Sequence, residues 1–138
     1  MMVQFTVPGK PVGKARPRFT RAGHTYTPEK TAEYEARVRA EYARQTQNFR
    51  FPDGVPVKVQ ICAHYPIPAS TSRKNAERML TGELAPIKKP DWDNIGKIIC
   101  DSLNGVAYKD DAQITRATVW KLYGEHPNVT VVLQEATT

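Results

Sequence analysis

The chain has 138 residues, 40% apolar and 25% charged, which suits one globular domain with a real core and argues against two. No apolar run approaches the roughly 20 residues that span a bilayer, and residues 1–7 lack the regions of a signal peptide, so a cytoplasmic protein is expected. The net charge of +6 is uneven, because residues 1–50 hold ten Lys/Arg against four Glu while residues 51–138 hold ten against ten acids; the excess points to a polyanionic partner.

Residues 2–7 alternate and read as a first strand, which Pro8 and Gly9 end. Residues 9–27, with Gly9, Pro11, Gly13, Pro17 and Gly23, read as a long basic loop or irregular hairpin. Thr27-Pro28 resembles an N-cap with Pro at the first helical position, opening a helix to about Gln47 whose buried stripe is Tyr34, Val38 and Tyr42. Val55, Val57, Val59, Ile61 and Ala63 alternate as a strand with one buried face. Residues 66–72 are a loop, and residues 73–81 a short helix ending at Gly82. Asp91 to Leu103 carries Ile95, Ile98, Ile99 and Leu103 on one helical face, and Asn104-Gly105 stops it. Ile114–Tyr123 and Asn128–Leu133 read as strands joined around residues 124–127 as a hairpin. This order predicts a single α+β or α/β domain over residues 1–138, a mixed sheet packed by helices.

Cys62 and Cys100 form no CxxC and read as reduced core residues, which argues against zinc. His24, His64 and His126 show no ligand spacing, and Trp92 and Trp120 read as packed on the sheet and in the core. The chemistry concentrates in Asp91, Asp93, Asp101, Asp110 and Asp111, opposed only by Lys97, Lys109 and Arg116. Mg²⁺ is a hard cation that takes carboxylate oxygens, and such ions activate water and stabilise a leaving oxygen at a phosphodiester. If residues 91–93 are extended, Asp91 and Asp93 share a face; Lys97 follows Asp93 by one helical turn and can stabilise transition-state charge. The plainer readings are that Asp91 or Asp93 caps a helix, Lys97 pairs with Asp101, and Asp110-Asp111 makes a turn.

The run Asp91-Trp92-Asp93-Asn94-Ile95-Gly96-Lys97, then Asp101-Ser102-Leu103, then Tyr108 before Lys109 and Asp110-Asp111-Ala112-Gln113-Ile114, resembles the RusA family of Holliday junction resolvases in its spacing. Residues 9–20 also resemble the start of its phage and prophage branch. The resemblance implies a homodimeric endodeoxyribonuclease of recombination and repair that depends on Mg²⁺, with Mn²⁺ as a substitute. It would cut four-way junctions by paired symmetric nicks. Carried over, Asp91, Asp93, Lys97 and Asp111 are catalytic; Asp91, Asp93, Asp110 and Asp111 are the metal-binding set. Asp110 is a ligand or a supporting group, and Asp101 a partner for Lys97. One departure is Lys88-Lys89-Pro90 where some members carry arginines.

Lys10, Lys14, Arg16, Arg18 and Arg21 fall within twelve residues with no acid between them, near Phe19 and Tyr26, and can follow a phosphate backbone. Arg73, Lys74, Lys88 and Lys89 form a second basic set. The alternatives are a flap- or fork-cutting nuclease with the same centre, and a non-catalytic protein that binds branched DNA.

Overall fold

This computed structural model describes residues 1–16, 18–26 and 28–136, and the side chains of all of these but Arg18 and Tyr26. Four strands make the main sheet: β1 (Met2–Pro8), β4 (Val57–Pro66), β5 (Ile114–Gly124) and β6 (Asn128–Glu135), in the order β1-β6-β4-β5. β6 runs antiparallel to both β1 and β4, while β4 and β5 are parallel, so the sheet is mixed and the domain α+β. A two-residue pair, β2 (Arg18–Phe19) and β3 (Thr25–Tyr26), forms the irregular hairpin expected in the basic segment.

Strand alternation puts one set of side chains on one face. Phe5 and Val7 of β1, Val129, Val131 and Leu133 of β6, and Val57, Val59, Ile61, Ala63 and Tyr65 of β4 are all buried there. Two helices supply the rest of the core. In α1 (Glu29–Thr46), Tyr34, Val38 and Tyr42 recur every four residues and face inward, and Tyr42 meets Phe5 edge-on at 5.3 Å. In α3 (Trp92–Ser102), Ile95, Ile98 and Ile99 do the same. A third helix, α2 (Arg73–Leu80), is capped by Ser72, whose hydroxyl accepts the Asn75 N–H, and buries no residue.

Several expectations are corrected. β5 and β6 are not a hairpin: β4 lies between them, and residues 125–127 step across its end, where Gly124 packs against His64. The chain instead makes a crossover from β4 through α2 and α3 to a parallel β5, the connection that parallel strands require. Trp120 is 59% exposed because it pairs beside Cys62, on the face of the sheet opposite the core residues. Trp92 is 64% exposed although helical spacing sets it on the side of Ile95 and Ile99, because it is the first residue of α3, one turn ahead of the first buried position. Cys62 and Cys100 are only half-buried. The strand expected from Val55 begins at Val57, and Pro28 is the N-cap of α1, not its first residue; the cap expected at Thr27 lies outside the described residues.

Candidate active site

α3 spans the sheet from the end of β4 to the start of β5. At its N-terminus Tyr65 of β4 donates to the Pro90 carbonyl at 2.5 Å, just before Asp91. At its other end a 3₁₀ turn, Asp111–Gln113, leads directly into β5. Asp91 occupies the N-cap position with extended backbone, yet its side chain makes no cap hydrogen bond. The capping reading therefore accounts for its backbone and not for its exposed carboxylate. Trp92 and Asp93 are already helical, so the extended face assumed for residues 91–93 does not form.

Helical spacing instead aligns Asp93, Lys97 and Asp101 at i, i+4 and i+8. Asp101 is the hub of this face. Its carboxylate receives Lys97 Nζ at 3.4 Å and Lys14 Nζ at 3.5 Å, and Lys14 is held in turn by Glu35 of α1 at 2.9 Å. Partial burial opposes the Lys14 charge, but the Glu35 and Asp101 carboxylates outweigh it and raise its pKa above the ordinary lysine value. The Lys14 N–H also donates to the Asn94 carbonyl at 2.9 Å, and Gly13 lies flat against Pro90 and Asn94. This docking brings Lys14 and Arg16 alongside Asn94, Lys97 and Asp101 around a groove of about 420 Å³.

Asp111 is fastened to the far end of the same face. Its N–H donates to Asn104 Oδ1 at 2.7 Å, and the Asn104 amide returns a 3.5 Å bond to its carboxylate. Burial first, then the adjoining Asp101 carboxylate, raise the Asp111 pKa above its usual 3.8. Asp110 is engaged differently: its side chain accepts the Ala112 N–H at 2.7 Å in a capping box with Gln113, whose amide nitrogen donates to the Pro52 and Val55 carbonyls.

The candidate residues thus fall into two groups along one helix. Asp91 and Asp93 stand at its start, Asp101 and Asp111 at its end, with Lys97 between; Asp91 and Asp101 are about 15 Å apart along the axis. Among the described residues no three His, Cys, Asp or Glu side chains converge as a closed metal cage. A Mg²⁺ ion needs less: one or two carboxylates, waters and substrate phosphate suffice. The pair of Asp101 and Asp111, the latter held above its usual carboxyl range by burial and by the neighbouring Asp101 carboxylate, fits that requirement.

The basic residues scatter more widely. Lys10 and Arg21 are exposed, Arg21 near the tip of the β2–β3 hairpin, and the side chain of Arg18 lies outside the described residues, as do Pro17 and the side chain of Tyr26. Arg73 and Lys74 open α2, Lys88 lies 5.8 Å from the Tyr123 ring centre, and Lys89 borders Asp91. Sequence reasoning missed Glu35, Asn104 and Tyr65, none of which lies in a motif. Asn104 could be suspected only as a helix stop, and the others reach the site through tertiary contacts. Cys100, beneath Asp111, has its thiol pushed up to about 12 by burial and then by that carboxylate, so it stays protonated and unreactive.

The uncharacterized protein YqaN of Bacillus subtilis (strain 168) is 37% identical over 141 residues, covering 96% of each chain. The family model described as Endodeoxyribonuclease RusA matches residues 8–134, from the end of β1 through nearly all of β6. The chain belongs to the RusA endodeoxyribonuclease family.

Proposed function

We propose that this protein is a Mg²⁺-dependent endonuclease that resolves four-way DNA junctions by paired symmetric nicks, acting as a homodimer in recombination and repair in the cytoplasm. In this reading one endonuclease domain fills residues 1–138, and Mn²⁺ can replace Mg²⁺. The observation that carries it is the face of α3, where Asp93, Lys97 and Asp101 align with Asp111 docked behind them and Lys14 and Arg16 in front.

Asp91, Asp93 and Asp111 are the catalytic carboxylates and the proposed metal ligands, joined by Asp101 beside Asp111, and Asp110, whose side chain caps the 3₁₀ turn, is a further ligand or positions Asp111. Bound Mg²⁺ supplies charge stabilisation and a more acidic water. Lys97 turns its ammonium to the phosphate undergoing attack, where added negative charge develops. Its pairing with Asp101 is exposed enough to exchange cheaply, since such i,i+4 pairs contribute only about 0.3–0.5 kcal/mol. Lys14, anchored by Glu35, keeps Asp101 compensated while Lys97 moves. Lys10, Arg16, Arg18, Arg21, Arg73, Lys74, Lys88 and Lys89 hold phosphates of the arms without reading sequence.

The test uses a labelled mobile four-way junction beside flap and duplex substrates, in Mg²⁺ and in EDTA. Wild type is expected to nick the junction symmetrically in Mg²⁺ alone, and Asp93→Asn to bind it but cut at least about 100-fold more slowly. Preferred cutting of flaps would replace the resolvase reading with a broader structure-dependent nuclease. Tight binding without cutting in any divalent metal would leave a branched-DNA-binding protein.

A further inference from the structure

A second cavity, of about 590 Å³, opens on the other side of the docked N-terminal loop, between that loop, α1 and the Lys89–Pro90 turn. Its volume falls in the range of roughly 300–1,000 Å³ typical of small-molecule sites. Its wall is chemically two-sided. Val12 and Pro90 give an apolar surface over the buried Tyr34 ring, while Lys30 and Lys89, which form no ion pair among the described residues, bring positive charge and Glu33 and Asp91 negative charge. Arg37 is fixed at the edge, donating to the Pro8 carbonyl and lying 5.9 Å from the Tyr34 ring centre.

Tyr34 itself is 3% exposed, and its hydroxyl is the buried side-chain polar atom left without a hydrogen-bond partner among the described residues. Native structures leave few such groups unpaired, and each calls for a reason. Neither the fold nor the α3 centre uses this hydroxyl. The cavity also continues into the groove along α3, because Lys14 and Asn94 line both, and Asp91 stands at its border. A strand lying on the α3 face passes directly from one to the other.

We propose that this cavity takes one unpaired nucleotide of the DNA strand, its phosphate at Lys30 and Lys89 and its base against Val12, Pro90 and Tyr34, whose hydroxyl it satisfies. The proposal rests on the nuclease reading and adds to it a place for a base drawn out of the stack at the strand-exchange point. Extrusion is least costly where pairing is already broken, so the cavity favours branched over continuous duplex DNA.

The test titrates the single-stranded tetranucleotide dT4 into the protein with ring-labelled tyrosines, of which the chain has six, and follows them by NMR. The Tyr34 ring signals are expected to shift saturably. Lys30→Glu should weaken binding and reduce the log–log salt slope by about one. Tyr34→Phe should weaken it by about fivefold without lowering Tm, since it removes an unpaired hydroxyl from the free protein. Shifts that spare Tyr34 at saturation, or both variants binding as wild type does, would overturn the proposal. Wild type that nicks junctions while both variants nick equally well would also sink the pocket and leave the resolvase standing. Wild type that binds dT4 through Tyr34 but nicks nothing would keep the pocket and remove the resolvase.

Discussion

Asp111 shows how a site residue can weigh against the fold that carries it. An acid whose folded pKa lies above its ordinary 3.8 binds its proton more tightly in the folded state than in the unfolded. Its stabilising contribution is complete below that pH and is lost as pH climbs through the raised value. At neutral pH the ionised carboxylate beside Asp101 is therefore a cost. Asp111→Asn is expected to raise Tm at pH 7 by about 2 °C, with the gain shrinking toward pH 4, while nicking is abolished; calorimetry and the junction assay read the two effects. Trp92 makes the complementary case. Its indole is exposed beside Asp91 and Asp93, where apolar surface serves no packing purpose. Trp92→Ala is expected to weaken single-strand or junction binding by about 1–3 kcal/mol and leave Tm unchanged, as gel shift and melting would show. The sequence made Asp91, Asp93, Lys97 and Asp111 visible through their spacing. It hid the orientation of both tryptophans, because an aromatic residue in a strand or helix suits either face until the neighbouring strand sets the parity.

Among the elements, α3 was the most legible, since its apolar residues repeat on one face and Asn104-Gly105 marks its end. The relation between β5 and β6 was not. Their short connection resembles a hairpin turn, but the order β4, α2, α3, β5 also carries the signature of a crossover between parallel strands, and that signal prevailed. Equally hidden was the grip of the basic loop on α3, which depends on a glycine for close approach. A Cβ on Gly13 would stand 2.9 Å from Pro90 Cβ and 3.1 Å from Asn94 Cβ. Gly13→Val is thus expected to lift the loop, displace Lys14 from Asp101 and cut nicking about tenfold, for a stability loss of only about 1 kcal/mol. Parallel activity and urea-unfolding measurements check the ratio; equal losses in both would mean that the loop is merely part of the core.

For the molecule as a whole, the uneven charge read from the sequence acquires a geometry. Lys14 and Arg16 bring part of the basic N-terminal third onto the acidic face of α3, so phosphates and cations are served within one groove. Junction binding in EDTA is expected to weaken steeply with salt, and the slope of log affinity against log salt should exceed about 4 if several of the nine basic candidates engage. Sedimentation of protein alone and with junction should give a two-fold dimer binding one junction. No described helix is long and apolar enough to cross a membrane.

The pairing of β1 with β6 sets Met2 opposite Gln134, so the start of β1 and the end of β6 lie on neighbouring strands at the same end of the sheet. Met2 lies on the β1 edge, three strand spacings or about 14 Å across the sheet from β5, against which α3 packs, whereas Glu135 lies on β6 beside Val57 of β4. A surface tether, fluorophore or fusion partner attached ahead of β1 therefore sits at the edge turned from β5, where an immobilised enzyme can be watched on single junctions, while one attached beyond β6 leaves beside Pro56, at the end of the sheet where the Asp111–Gln113 turn leads into β5.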